Sequence, residues 1–302
     1  MKHVFVLTIL LLTASITMQA QTCVDTAKVV MPVLTVSAKQ TYEEKLAEAR
    51  RDYDKNPNDA DAIIWLGRRT AYLGQYKEAI RIFGEGIAKH PTDARFYRHR
   101  GHRFVTIRCF DDAIRDFEKA AKLIKGKADA IEPDGMPNAK NIPTSTLQSN
   151  IWYHLGLAYY LKGNFKKALK AYEECEKVSK NNDMRVATAH WHYMTLRRLG
   201  REKEARKIIE PFKGGVEIIE NADYLKLAKL YLGERTAYEL LTEIGGEAKT
   251  LGSASLGYGL GAWHLYNGDK NRATDIFRRI TAGNQWSSFG YIAAEAELNR
   301  LR

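Results

Sequence analysis

PNDADAIIWLGRRTAYLGQYKEAIRIFGEGIAKHP (residues 57–91) is the stretch that decides the fold, because its landmarks return at one fixed step. Gly67 and Gly101, Ala79 and Ala113, Phe83 and Phe117, and Pro57 and Pro91 are each 34 residues apart. Four pairs at one period mark a repeat architecture. Small residues at Gly67 and Ala79 let two helices approach closely, and the aromatics are expected to fill the wider gaps between neighbouring hairpins. One hairpin cannot bury its apolar side alone, so the units must stack into a curved solenoid with an extended concave face.

Further along, Trp152-Tyr153-His154-Leu155-Gly156-Leu157-Ala158-Tyr159 is followed by Gly163, Phe165, Ala168 and Tyr172. On these residues the chain resembles the tetratricopeptide repeat family, whose unit is a helical hairpin opening W-x2-L-G-x2-Y. The first unit, about 60–93, has Ile63 and Thr70 for the tryptophan and tyrosine but keeps Leu66, Gly67, Gly74, Tyr76, Ala79 and Phe83. The second, about 94–127, carries Tyr97, Gly101, Phe104, Ala113, Phe117 and Ala120, with Arg100 for the leucine. The third is 149–182, and departures grow in units at about 186–213, 222–245 and 254–281. The resemblance implies an all-α, right-handed α-α superhelical solenoid over residues 41–301, with an amphipathic helix at 286–301 covering its open end. A narrower likeness, to exported bacterial proteins with the same repeat, rests on the basic stretch Tyr97-Arg98-His99-Arg100-Gly101-His102-Arg103 and a later Pro-rich loop. It implies that helix and loop belong together, and it implies no activity.

Two features lie outside the period. Thr41 with Glu44 reads as a capping box that opens a helix through about Tyr53. Gly156 lies 55 residues after Gly101, 21 more than the period, so an insert interrupts the register at 125–148. Its prolines, Pro133, Pro137 and Pro143, stiffen it into an ordered loop, and long loops in compact domains often carry function. A lid over the groove and a passive excursion on the convex side are both open.

The first twenty residues read as a secretory signal: Lys2 and His3, then an apolar run from Val4 to Ile16, then Ala20 as the cleavage position. The run is shorter than the ~20 residues that cross a bilayer. Export to the periplasm or cell envelope is the expectation if the source is a Gram-negative bacterium, with 21–40 as a linker. Membrane contact would require lipidation at Cys23. Three cysteines, Cys23, Cys109 and Cys175, are too few and too scattered for a disulfide framework or a zinc site, and the last two are expected as structural filler.

A formal net charge of +11 favours an anionic partner without naming it. In this family the first helix of each hairpin lines the concave face. That resemblance places Arg68, Arg95, Arg98 and His102 of the first two units in the groove, with Tyr153 and Tyr160 of the third and His190, Met194 and Arg197 of the fourth. Trp191 adds contact surface. Independently, the spacings of three and four put Arg95, Arg98 and His102 on one helix face. Guanidinium forks grip carboxylates or phosphates in pairs of bonds, so the groove is read as an anion-binding one. The competing reading is a solvated basic face with internal salt bridges to Asp111, Asp112 or Glu132.

No metal is expected, because His190 and His192 point to different faces and no H-E-x-x-H motif occurs. Gly257-Tyr258-Gly259-Leu260-Gly261-Ala262 fits a dinucleotide loop only formally, since no strand precedes it. No cofactor or nucleic-acid motif appears. The expected function is an exported scaffold or adaptor, not an enzyme, that binds a protein or peptide partner through an acidic segment. Protonation of the groove histidines near pH 6 would tune its anion affinity. The rival is a hydrolase or lyase acting on an acidic glycan or peptide, with His102 and His190 as acid and base.

Overall fold

The computed structural model describes residues 22–301, which form fifteen α-helices. The expected signal, Val4–Ile16 with Ala20, lies outside the described residues. After α1 (Cys23–Thr26) and α2 (Val36–Lys55) the chain runs as six hairpins. These are α3 (Ala60–Tyr72) with α4 (Tyr76–Lys89), α5 (Ala94–Thr106) with α6 (Phe110–Ile124), and α7 (Leu147–Leu161) with α8 (Phe165–Val178). Then come α9 (Asn182–Arg198) with α10 (Glu202–Ile209), α11 (Ala222–Leu232) with α12 (Ala237–Glu243), and α13 (Ala254–Tyr266) with α14 (Lys270–Thr281), before a last helix, α15 (Phe289–Leu301).

The code behind the period is a ring seated on a glycine. A Cβ at Gly67 would lie 2.5 Å from Phe83, at Gly101 2.9 Å from Phe117, at Gly156 2.6 Å from Tyr172 and at Gly261 2.6 Å from Phe277. Each aromatic therefore fills the close contact inside its own hairpin, where the sequence suggested gaps between hairpins. The hairpin turns place Gly74, Gly163, Gly200 and Gly268 at positive φ. In the second unit Arg108 takes that position, at φ 67°, a conformation that costs a non-glycine residue about 1 kcal/mol or more.

Arg108 is held there by the other end of the chain. Its guanidinium lies 3.9 Å from the centre of the Trp286 ring and bonds to Glu295 on α15 (Nε to Oε2 2.7 Å) and to the Trp286 carbonyl (2.9 Å). Phe289 packs on His102 and His154 at 5.2 and 5.4 Å, Arg198 pairs with Glu297 at 2.9 Å, and Arg300 bonds to the Tyr160 carbonyl at 3.0 Å. α15 packs chiefly on α13 and α14, the last hairpin whose open end it was expected to cover, and its other side ties that hairpin back to the second, third and fourth.

The N-terminal segment also differs from expectation. Cys23 and Cys109 form a disulfide that ties the first residues to the α5–α6 turn, and Cys175 alone remains free, buried in the core. Pro32 and Met31 pack over Gly74, so residues 22–35 lie on the fold and are no free linker. The helix expected to open at Thr41 begins earlier, capped by Thr35, whose side chain accepts from the Ala38 N–H; Thr41 instead donates to the Ser37 carbonyl.

Candidate peptide-binding groove

Between α3 and α5 the concave face holds a segment of the chain itself. The insert starts as an extended stretch, with the Glu132 N–H donating to the Ser145 carbonyl at 3.2 Å and the Leu147 N–H to the Ala130 carbonyl at 2.9 Å. It then lies across the groove. Arg68 Nη2 donates to the Pro133 carbonyl at 2.9 Å, and Arg69 Nη1 donates to the Gly135 carbonyl at 2.7 Å. The two guanidiniums are oriented by stacking on Trp65, at 4.3 and 4.7 Å from its ring centre. Gly135 passes so close to Tyr72 that a Cβ there would lie 1.6 Å from its hydroxyl, which leaves no room for any other residue.

The charged contact is the deepest. Arg98 Nη2 meets Glu132 Oε1 at 2.9 Å with both side chains about nine-tenths buried, and Arg98 Nη1 lies 3.1 Å from His99 Nδ1. Burial, with Arg68 adding, lowers the Arg98 pKa, and Glu132 opposes that shift. Past the groove the insert reaches the loop before α11, where Thr144 bonds to Glu220 and Lys140 pairs with Glu217 at 3.4 Å. The insert is thus a strap across the concave side, with Glu132 as the salt-bridge partner of Arg98.

Of the residues read from the sequence, Arg68, Arg98 and His102 come together, lining one small cavity with Tyr72, His99 and Arg103. The others do not join them. Arg95 turns away to Asp93 at 2.6 Å and to Asp61 at 2.5 Å. Tyr160, His190, Trp191 and Met194 are at most 1% exposed, and Tyr153 is 6% exposed, because α11, α13 and α15 cover the face they were assigned to. Tyr160 bonds to Tyr266 and Tyr258, Tyr153 to Tyr224, and Trp191 stacks on Tyr258 at 5.6 Å. Arg197 bonds to Tyr193 and to the carbonyl of Tyr266 at the end of α13. These are packing and hydrogen-bonding roles, not an open binding surface.

The histidines follow the same logic. His190 sits between Tyr224 and Tyr231 with its Nδ1 3.1 Å from the Tyr231 hydroxyl, and burial pushes its pKa down to about 3. His99, His102 and His154 are likewise driven well below the usual range by burial, helped by Arg98 and Arg103. A neutral, enclosed His190 cannot reach a substrate, which removes the acid–base pair of the hydrolase reading, and none of these rings charges near pH 6. The residues that sequence reasoning missed are Arg69, Arg103 and Gly135. Arg103 belonged to the basic run, four residues after His99, but the repeat's position rule passed over it.

A stack of helical hairpins with its inner face formed by the first helix of each pair defines a solenoid of the tetratricopeptide-repeat type. Residues 149–182, the α7–α8 hairpin, match the family model described as "Tetratricopeptide repeat". Tetratricopeptide repeat protein 12 of Mus musculus is 23% identical over 164 residues, 54% of this chain and 20% of that protein, so the chain spans about a fifth of the length of that curated relative. Among solved structures, YrrB, described as a TPR protein with an unusual peptide-binding site, is 16% identical, with 83% of this chain and 97% of that one covered and a TM-score of 0.42. TTC0263, a thermophilic TPR protein of Thermus thermophilus, is 17% identical over 65% of this chain and 93% of its own, with a TM-score of 0.46. MamA is 17% identical over 67% and 97%, with a TM-score of 0.44.

Proposed function

We propose that this protein is an exported, non-enzymatic scaffold that binds an extended acidic segment of a protein partner in the groove between α3 and α5. One observation carries the reading: the groove grips an extended, acidic, proline-bearing segment of its own chain. Arg68 and Arg69 take backbone carbonyls, which suits any sequence in extended form, and Arg98 takes a carboxylate, which selects an acidic one. A partner segment of this chemistry competes with residues 131–137 for the same donors.

Export is supported by the apolar start of the chain and by the Cys23–Cys109 bridge, a bond that persists in oxidising compartments. In a Gram-negative bacterium the destination is the periplasm or cell envelope. The bridge uses the Cys23 sulfur, so this reading does not include lipidation there.

The test supplies the segment from outside. Residues 131–137 are replaced by a Gly/Ser linker of equal length, and a labelled peptide with the sequence IEPDGMP is titrated into the variant by fluorescence anisotropy. Saturable binding that weakens with added salt and with Arg98→Met is expected. A variant that keeps its helical circular dichroism yet binds no peptide refutes the reading.

A further inference from the structure

Where the insert packs on Arg68, Tyr72 and Arg98, the groove encloses a cavity of about 110 Å³ whose walls include His99, His102 and Arg103. That is several times the roughly 10–15 Å³ that one water needs. Three guanidiniums border the space; Glu132 pairs with Arg98, and the Asp134 carboxylate lies near enough to Arg68 to act on it by charge, which leaves Arg103 unanswered. Arg68 spends its bond on the Pro133 carbonyl, a dipole and not a charge. Among the described residues Arg103 has no carboxylate partner within salt-bridge distance; its guanidinium lies 5.9 Å from the centre of the Tyr76 ring. Arg98 is 8% exposed, and its buried Nε has no hydrogen-bond partner.

This arrangement is costly as it stands. Burial, with Arg98 and Arg68 close by, pushes the Arg103 pKa down to about 10, so the group keeps its charge at neutral pH without an anion to match it. His99 and His102 are held neutral by the same surroundings, so each offers an N–H and adds no further positive charge. Guanidiniums from two helices around one small space suit an anion with more acceptor oxygens than a carboxylate has.

We propose that this cavity binds one small tetrahedral oxyanion, a free phosphate or sulfate, held by Arg68, Arg98 and Arg103 with His102 in its wall. The inference rests on the groove reading only in sharing Arg68 and Arg98 with it. It leaves the insert in place, so the two fail separately.

The experiment is thermal unfolding of the full chain with its disulfide intact, in rising potassium phosphate or sulfate at ionic strength held constant with chloride. The melting temperature is expected to rise with the oxyanion and to follow its logarithm past saturation, with calorimetric titration giving one site. Arg103→Gln is expected to lose that rise while matching or exceeding the wild-type melting temperature in chloride, because it removes an unmatched, half-buried charge. A purely structural Arg103 gives the opposite pattern, a lower melting temperature in every buffer with the phosphate increment intact, and overturns the proposal. So does a wild-type chain with no increment in either anion. If Arg103→Gln does not fold, Arg68→Gln on a half-buried side chain carries the test, with roughly tenfold weaker phosphate binding expected; unchanged binding there overturns the proposal equally. The trans-peptide titration, run in chloride without the insert, is untouched by any of these results.

Discussion

Glu132→Leu and Arg98→Met, made singly and together, test the contact on which the groove reading turns. The two side chains meet at 2.9 Å with about a tenth of each exposed, and each leaves a buried atom, Arg98 Nε and Glu132 Oε2, without a partner. Removing one member of such a pair strands the other charge, a loss of about 3–5 kcal/mol, whereas replacing both by apolar groups of similar volume is often neutral or stabilising. Glu132→Leu is expected to sit in that range, because Arg98 is anchored on α5 and cannot follow its charge into water. Arg98→Met is expected to cost less, about 1–2 kcal/mol, because Glu132 lies on an insert that can lift toward solvent. The double variant should fall within about 1 kcal/mol of wild type, giving a coupling energy of about 3 kcal/mol or more. Urea unfolding followed by tryptophan fluorescence reads all four proteins, with unchanged m-values as the check that one cooperative unit is compared. Additive single effects would refute the reasoning, since they would mean that the pair is two independent surface groups.

Acid should unfold the protein through its buried histidines. In the unfolded chain a histidine titrates near pH 6.5, while His190 in the fold does so at about 3, so below pH 6.5 the unfolded state takes up a proton that the folded state refuses. The sign is a loss of stability as pH falls, up to about 1.4 kcal/mol per pH unit, or roughly 2 kcal/mol at pH 5 from this residue alone. Urea midpoints at pH 7.5 and 5.0 should converge partly in His190→Gln, and an unchanged pH difference in that variant would count against burial as the cause. Removing the disulfide with Cys23→Ser and Cys109→Ser should cost about 2–4 kcal/mol, with loop entropy alone setting a value near 4–5 for cysteines 86 positions apart. Hydrogen exchange should then rise first in residues 22–35; uniform loss of protection would show that the bridge holds more than the N-terminal segment.

The hairpins were legible because their signal is local. Gly67 and Phe83, or Gly156 and Tyr172, are sixteen residues apart on paired helices, and size complementarity at that distance can be read from a string. Closure of the groove was not, because Arg108 and Glu295 are 187 residues apart and α15 has the same amphipathic pattern whether it caps an end or fills a trough. A usable sign was nonetheless present. Twelve of the fifteen residues of α7 and thirteen of the seventeen of α9 are buried, and a helix apolar or aromatic on both sides needs neighbours on both sides. Tyr153, Tyr160, Trp191 and Met194 on one face, opposite Leu155, Ala158 and Ala189, argued against an open concave surface at those units. The disulfide had no such sign, since pairing between two isolated cysteines depends on a fold not yet known when the sequence is read.

The two fillings of the groove differ in kind, and that difference bears on where the proposed partner would enter. The C-terminal one is largely apolar: Trp286 on Tyr76, Phe289 on His154 and Tyr153, Tyr258 on Trp191. Lifting it would return several aromatic side chains to water, at about 25 cal/mol for each Å² exposed, with no incoming ligand able to match so specific a fit. The insert is polar. It is fixed at this end by two arginine–carbonyl bonds and one ion pair, and Ile131 and Met136 on it already face solvent. An acidic segment from a partner can offer the same carbonyls and the same carboxylate, so exchanging one for the other is close to balanced, and partner concentration can decide the outcome. The proposed peptide site therefore belongs at the α3–α5 end of the groove, since largely apolar elements of the chain itself cover the rest of that face.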